Sequence, residues 1–156
     1  MSWVDDQARR IDELIDEYRR ALHDSLEGLS EDEARAGLVP SKTTLLGLVK
    51  HVTFVEGVWF DNAITGRTTS EIGIASSVDG SFTLADDDTI ATVQAAYRER
   101  WETSRANLAG LQDDDTVDGR GERPVWALRI QVLKELAQHA GHADILREQL
   151  LARRSG

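Results

Sequence analysis

The residues best suited to chemistry lie between Leu133 and Leu146, in a segment with the apolar spacing of a helix. The apolar positions are interrupted by Glu135, His139 and His142, which at about 100° per residue share one narrow sector of the helix. A carboxylate and two imidazoles on a core-facing stripe are unfavourable unless they are paired or bind a metal ion. The segment therefore predicts a polar site within a helical protein.

A metal ion is the simplest ligand for this site. Glu135 and His139 are four residues apart, so their side chains project from one face of the helix and can reach the same ion. His51, flanked by Leu48 and Val55 on the inward face of another predicted helix, is a candidate third ligand. Two histidines and one carboxylate leave a coordination position open, as in catalytic zinc sites. The spacing alone leaves His142 open as a fourth ligand, a hydrogen-bond donor to a ligand, or a substrate contact.

The elements that would position these residues are four amphipathic helices. The predicted helices run from Trp3 to about Leu26, from about Leu45 to Ala63, from Asp86 to about Leu108, and from Pro124 to about Ala152. Their lengths and links predict an all-α antiparallel four-helix bundle, with one long crossover loop over Thr65 to Leu84. The run Asp86–Asp88 is expected in the first turn of the third helix, where acidic residues complement the helix dipole. We expect residues 1–156 to form a single domain.

Composition excludes several classes of function. The formal net charge is −10, so no basic stripe is available for nucleic acid or for an anionic membrane surface. The chain has no cysteine, which excludes disulfides, thiolate metal sites and a cysteine nucleophile. No run of residues is long enough to span a membrane, and the N-terminal residues do not form a secretory signal pattern. We therefore expect the protein in the cytoplasm.

Two motifs resemble the DinB-like superfamily, in particular its actinobacterial branch related to mycothiol-dependent maleylpyruvate isomerase. The first motif runs from Ser41 to His51 and continues through Val55, Glu56, Trp59 and Phe60; the second runs from Glu135 to Asp144 with Arg147 and Glu148. The resemblance covers essentially the whole chain. It implies a four-helix bundle and, in many members, a homodimer.

The resemblance also implies a divalent ion, zinc or nickel, held by His51, Glu135 and His139. Gln131 stands where many relatives of this branch carry a histidine, which affects pocket specificity rather than the ligand set. A small thiol such as mycothiol would bind at the open position as the thiolate and attack an electrophilic substrate, giving transfer or isomerisation. His142 is the candidate proton carrier of that reaction.

Three other interpretations compete with this one. The first is a metal-binding bundle without enzymatic activity, for example a stress-response protein, and a closed site with His142 as fourth ligand would favour it. The second is a non-haem iron oxygenase, because two histidines and a carboxylate also describe that facial triad. The third is a polar patch that binds no metal. A deep pocket beside an open coordination position would favour the thiol-dependent enzyme.

Overall fold

The protein is an all-α bundle, as predicted. The computed structural model describes residues 7–155, so the predicted helix start at Trp3 lies outside the described residues. The helices are α1 (Gln7–Asp24), α2 (Glu31–Ala34), α3 (Leu45–Gly57), a π-helical turn (Val58–Asn62), α4 (Ala63–Thr65), α5 (Thr69–Ile72), α6 (Val78–Ser81), α7 (Ile90–Leu108) and α8 (Val125–Arg153). In the described part of the chain, no helix is both long enough and apolar enough to cross a membrane.

The four long helices do not simply alternate in direction. Arg129, near the start of α8, contacts Asp12 of α1, and Arg147, near the end of α8, contacts the carbonyl oxygen of Ser25, just after α1 ends. Helices α1 and α8 are therefore parallel. The segment α3 to α4 is parallel to α7, because Lys50 contacts Asp88 and, further on, the Phe60 carbonyl accepts from Asn107. The long predicted crossover explains why α3 and α7 are parallel, because it returns the chain to the end of the bundle at which α3 begins.

Helix α3 is the central element of the bundle. Ten of its thirteen residues are buried, and the helix packs against both α7 and α8. Its apolar side chains join one cluster with residues of the other long helices, including Leu22 of α1, Tyr97 of α7 and Leu136 of α8. A polar residue on α3, such as His51, is therefore placed in the interior. That residues 1–156 form a single domain stays a prediction.

The crossover is more ordered than the sequence suggested. It contains the short helices α5 and α6, each with a side-chain cap: Thr68 accepts from the backbone N–H of Glu71, and Ser77 accepts from that of Gly80. The crossover lies close against α3, because a Cβ on Gly57 would come within 2.9 Å of Ile74. Helix α6 also packs on α3, and it is therefore held beside His51.

The prediction that Asp86–Asp88 opens the third helix is wrong. Helix α7 begins at Ile90, and Thr89 is its N-cap, because the Thr89 hydroxyl accepts from the backbone N–H of Thr92. Asp88 instead accepts from the backbone N–H of Ala85 and pairs with Lys50 of α3 at 2.5 Å. A local hydrogen bond and a tertiary ion pair therefore hold this carboxylate outside the helix.

A small hairpin precedes α8, between the third and fourth predicted helices, where the sequence analysis predicted no strand. Strands β1 (Thr116–Val117) and β2 (Arg123–Pro124) pair antiparallel, and the loop between them docks on the end of α4. Gly119 donates its backbone N–H to the Ala63 carbonyl at 3.0 Å. A Cβ on Gly119 would lie 2.2 Å from the Asn62 carbonyl oxygen, so only glycine allows this close approach.

Candidate metal centre

The three predicted ligands come together in the structure. His51 of α3 and Glu135 and His139 of α8 place ligand atoms within 4.8 Å of one another. The Nε2 atom of His139 lies 3.5 Å from Oε2 of Glu135. Ligand atoms around a tetrahedral zinc are about 3.3 Å apart. Two imidazole nitrogens and a carboxylate oxygen are also ligand types that zinc and nickel accept. The residues present therefore fit a divalent ion after a small inward movement of their side chains.

His51 is held by a contact that also assigns its tautomer. Its Nδ1 atom lies 2.7 Å from the Ser81 hydroxyl, and that hydroxyl donates its single hydrogen to the Val78 carbonyl. Nδ1 must therefore carry the proton and donate to Ser81, which leaves the Nε2 lone pair available to an ion. Phe82 stacks on the imidazole, with ring centroids 4.0 Å apart and an interplanar angle of 12°. Contacts from α6 and Phe82 thus fix both the orientation and the protonation site of His51.

Glu135 is oriented by two neighbours on its own helix. Gln131 donates from Nε2 to Oε1 of Glu135 at 3.2 Å, and Lys134 Nζ lies at the same distance from that oxygen. The other carboxylate oxygen, Oε2, is the one that faces His139. Gln131 therefore directs one oxygen of Glu135 away from the other candidate ligands and the second toward them.

The surroundings of both candidate histidines favour the neutral imidazole. Burial lowers the pKa of His51 to about 4, with a further contribution from His139. Burial also lowers the pKa of His139, although the neighbouring Glu135 carboxylate opposes this shift. A neutral imidazole offers a lone pair without first losing a proton, which is the form that binds metal ions.

The candidate ligands open onto a pocket of about 360 Å³. Its other lining residues are Phe54, Val55, Val58, Trp59, Val78, Phe82, Arg120, Gln131 and Gln138. Most of this lining is apolar, and Arg120 is a cationic exception. Trp59 belongs to the π-helical turn Val58–Asn62, a local irregularity that frequently marks a functional site. The pocket is large enough to admit a small molecule next to all three candidate ligands.

His142, the predicted proton carrier, lies apart from this pocket lining. It is exposed, and its Nδ1 atom is 3.3 Å from Nδ1 of His139. A hydrogen bond between these two atoms leaves Nε2 of His139 to face Glu135. The structure therefore brings together His51, Glu135 and His139, whereas His142 contacts the outer side of His139.

A second group with ligand-type atoms is less suited to a cation. His23, Asp24 and Glu27 also place ligand atoms within 4.8 Å of one another. Both ring nitrogens of His23 are already engaged, since Nδ1 is 2.8 Å from Asp24 and Nε2 is 2.6 Å from the Arg98 guanidinium. A positive charge at that distance opposes a metal ion.

Sequence reasoning missed two features of the site. Ser81 sits in the crossover, thirty residues from His51, and no local pattern connects the two. Arg120 follows a glycine in an acidic loop, and its place in the pocket depends on the docked hairpin. The apolar residues of the crossover, such as Phe82, were the available signal, because apolar side chains in a loop indicate contact with the core.

A Ser81→Ala substitution tests the contact that orients His51. We expect the variant to fold and to bind zinc roughly tenfold more weakly, because residues that orient a ligand typically contribute at this level. A zinc titration against a chelating indicator measures the change. Ser70→Ala, an exposed serine of α5 in the same crossover, is the matched control. Equal zinc affinity in the two variants would contradict the role of Ser81.

Comparison with known proteins identifies a family. The family described as mycothiol-S-transferase matches residues 10–152, which is most of the chain. No curated protein and no solved structure matches the chain. The family has a DinB-like fold, so the family match confirms the resemblance drawn from the two motifs. The chain belongs to the mycothiol-S-transferase family.

Proposed function

We propose that this protein is a metal-dependent transferase that joins mycothiol, or a similar low-molecular-weight thiol, to a small electrophile. The observation that carries the proposal is the group of His51, Glu135 and His139 at the wall of a pocket of about 360 Å³. A purely structural site would normally have four protein ligands. In the described part of the chain, His142 is not among the residues that converge on this group, which favours an open position over the non-enzymatic alternative.

The roles of the residues follow from their contacts. His51, Glu135 and His139 would hold zinc or nickel, and a bound cation would favour the thiolate form of a thiol at the open position. Ser81 keeps the Nε2 lone pair of His51 directed at the site. His142 orients His139 through the contact between their Nδ1 atoms. The role of proton carrier expected from sequence stays a prediction; we favour the orienting role because His142 is not part of the pocket lining.

The pocket would bind the electrophile and keep water away from its reacting carbon. Phe54, Val58, Trp59 and Phe82 provide apolar surface for the carbon skeleton of an electrophile. In the transfer, the thiolate sulfur forms a bond to an electrophilic carbon. With an aryl chloride, the bond from that carbon to chloride breaks and the thiol proton passes to solvent. With an epoxide or a maleimide, the C–O bond or the C=C π bond breaks instead, and the oxygen or the adjacent carbon takes up a proton. We further propose a cytoplasmic location and a homodimer, in line with the sequence expectations.

A transferase assay tests the proposal directly. The zinc-loaded and nickel-loaded protein is mixed with mycothiol, cysteine or glutathione and with an activated aryl chloride, a maleimide or an epoxide. We expect conjugation with mycothiol above the uncatalysed rate, and loss of that excess in Glu135→Gln assayed under the same metal conditions. Absence of conjugation with every thiol, in protein that carries one ion per chain, would support a metal-binding bundle without activity.

A further inference from the structure

Arg120 stands out among the residues that line the pocket. The pocket wall contains one carboxylate, Glu135, which belongs to the candidate ligands and contacts Lys134. Arg120 is exposed and, within residues 7–155, forms no ion pair with a carboxylate, although Asp118 and Glu122 are close to it in sequence. Among the described residues, its side chain makes one hydrogen bond, from Nη1 to Oδ1 of Asn62 at 3.3 Å. The guanidinium therefore retains donors for a ligand in the pocket.

The position of Arg120 is fixed by the elements around it. The Arg120 guanidinium carbon lies 5.6 Å from the centroid of the Trp59 ring, within the range of a cation–π contact. The neighbouring residue, Gly119, donates its backbone N–H to the Ala63 carbonyl and packs so closely against the backbone of α4 that no side chain fits there. The guanidinium carbon of Arg123 lies 5.4 Å from the centroid of the same Trp59 ring, so a second cation lies beside the pocket. This arrangement holds a cation at the pocket although the whole chain has a net charge of −10.

We propose that Arg120 binds a carboxylate on the electrophilic substrate, so that this protein prefers electrophiles that carry one. The inference rests on the proposed transferase function and adds a substrate class to it. A guanidinium presents paired N–H donors in one plane, which match the two oxygens of a carboxylate. The candidate ligands line the same pocket, so a carboxylate at Arg120 would leave the rest of a small molecule facing His51, Glu135 and His139. Phe54, Val58 and Trp59 would contact the apolar part.

A binding experiment tests the carboxylate contact without any reaction. Equilibrium dialysis compares 3,5-dinitrobenzoate with its methyl ester, which has the same ring but no charge. Neither compound has a leaving group at the ring carbon between the nitro groups, so neither can react. We expect the wild-type protein to bind the carboxylate about tenfold more tightly than the ester. Arg120→Gln should remove this preference, and Arg120→Lys should retain part of it. Arg153→Gln, which removes an exposed charge roughly 20 Å along α8 from His139, should keep the full preference.

The same measurement in metal-free protein separates Arg120 from the metal. A preference that persists after chelation and disappears in Arg120→Gln supports the inference. A preference that depends on the metal and survives in Arg120→Gln would assign the carboxylate to the ion and overturn it. Equal binding of acid and ester by the wild-type protein would overturn it as well.

A turnover comparison separates this inference from the proposed function. The substrates are 4-chloro-3,5-dinitrobenzoate and its methyl ester, with mycothiol as the second substrate. The thiol sulfur bonds to the ring carbon, chloride leaves, and the thiol proton passes to solvent. We expect kcat/KM to favour the acid about tenfold in the wild-type protein and not in Arg120→Gln. Turnover without preference refutes the role of Arg120 alone, whereas carboxylate binding without turnover refutes the transferase alone.

Discussion

A His51→Gln substitution is expected to weaken zinc binding by about 100-fold or more, because removal of a ligand exceeds the effect of removing a group that merely orients one. Glu135→Gln should act similarly, since an amide oxygen carries no charge to offset that of the ion. The wild-type protein, purified without an immobilised-metal column, should contain close to one ion per chain. Elemental analysis and a chelator competition titration measure both quantities.

The two remaining histidines supply matched controls. His142→Gln should retain the ion and lose about tenfold in affinity at most, because His142 contacts only the outer side of His139. His23→Gln should leave the metal content unchanged, since His23 is paired with Asp24 and Arg98 on another surface. Full retention of zinc by both His51→Gln and Glu135→Gln would refute the proposed ligand set. Loss of zinc in His142→Gln, with retention in Glu135→Gln, would move the third ligand to His142.

A Glu56→Gln substitution is expected to lower the free energy of unfolding by about 3 to 5 kcal/mol. Glu56 is fully buried, and Arg19 donates to both of its carboxylate oxygens, at 2.6 and 3.0 Å. Ser104 donates to the same carboxylate at 2.9 Å, so one group joins α1, α3 and α7. Burial by itself would lower the pKa of Arg19, but the charge of Glu56 and the hydrogen bonds to Glu56 and Asp16 together raise it. Within the described residues, the variant would leave this buried guanidinium with Asp16 as its only carboxylate partner.

Urea denaturation measures the effect of Glu56→Gln, and an exposed ion pair provides the control. Glu13 pairs with Arg9 and Arg10 at the surface of α1, so Glu13→Gln should change the free energy of unfolding by less than about 1 kcal/mol. The double variant Arg19→Met/Glu56→Leu removes both charges at once. It should recover much of the stability, because it leaves no unpaired buried charge. A loss below about 1 kcal/mol in Glu56→Gln would show that the buried pair is not what holds these helices together.

The fold and the candidate ligands could be predicted because they depend on local periodicity. Helical spacing located four helices, and the i, i+4 spacing by itself placed Glu135 and His139 on one face of the last helix. The prediction that His51 faces the same interior also depended only on its position between Leu48 and Val55. The family match and the bundle confirm the fold, and the three candidate ligands converge in the structure.

Other local patterns were misleading because tertiary contacts outweighed them. Three consecutive aspartates resembled a helix start, yet Asp88 pairs with Lys50 and the helix begins two residues later, at Ile90. His142 shares a sector with Glu135 and His139 on a helical wheel, yet it is exposed. A helical wheel gives the direction of a side chain, but the depth of that side chain depends on which neighbouring helix covers it.

The sequence by itself determined the existence of the four long helices, the absence of a cysteine nucleophile and a candidate set of two imidazoles and one carboxylate. Only the tertiary structure decided what surrounds that set. Ser81 assigns the tautomer of His51 from thirty residues away, and Arg120 reaches the pocket because Gly119 docks on α4. Both contacts join segments that are distant in sequence and irregular in pattern. Periodicity carries no information about such contacts, because they depend on how the crossover and the hairpin pack against the bundle.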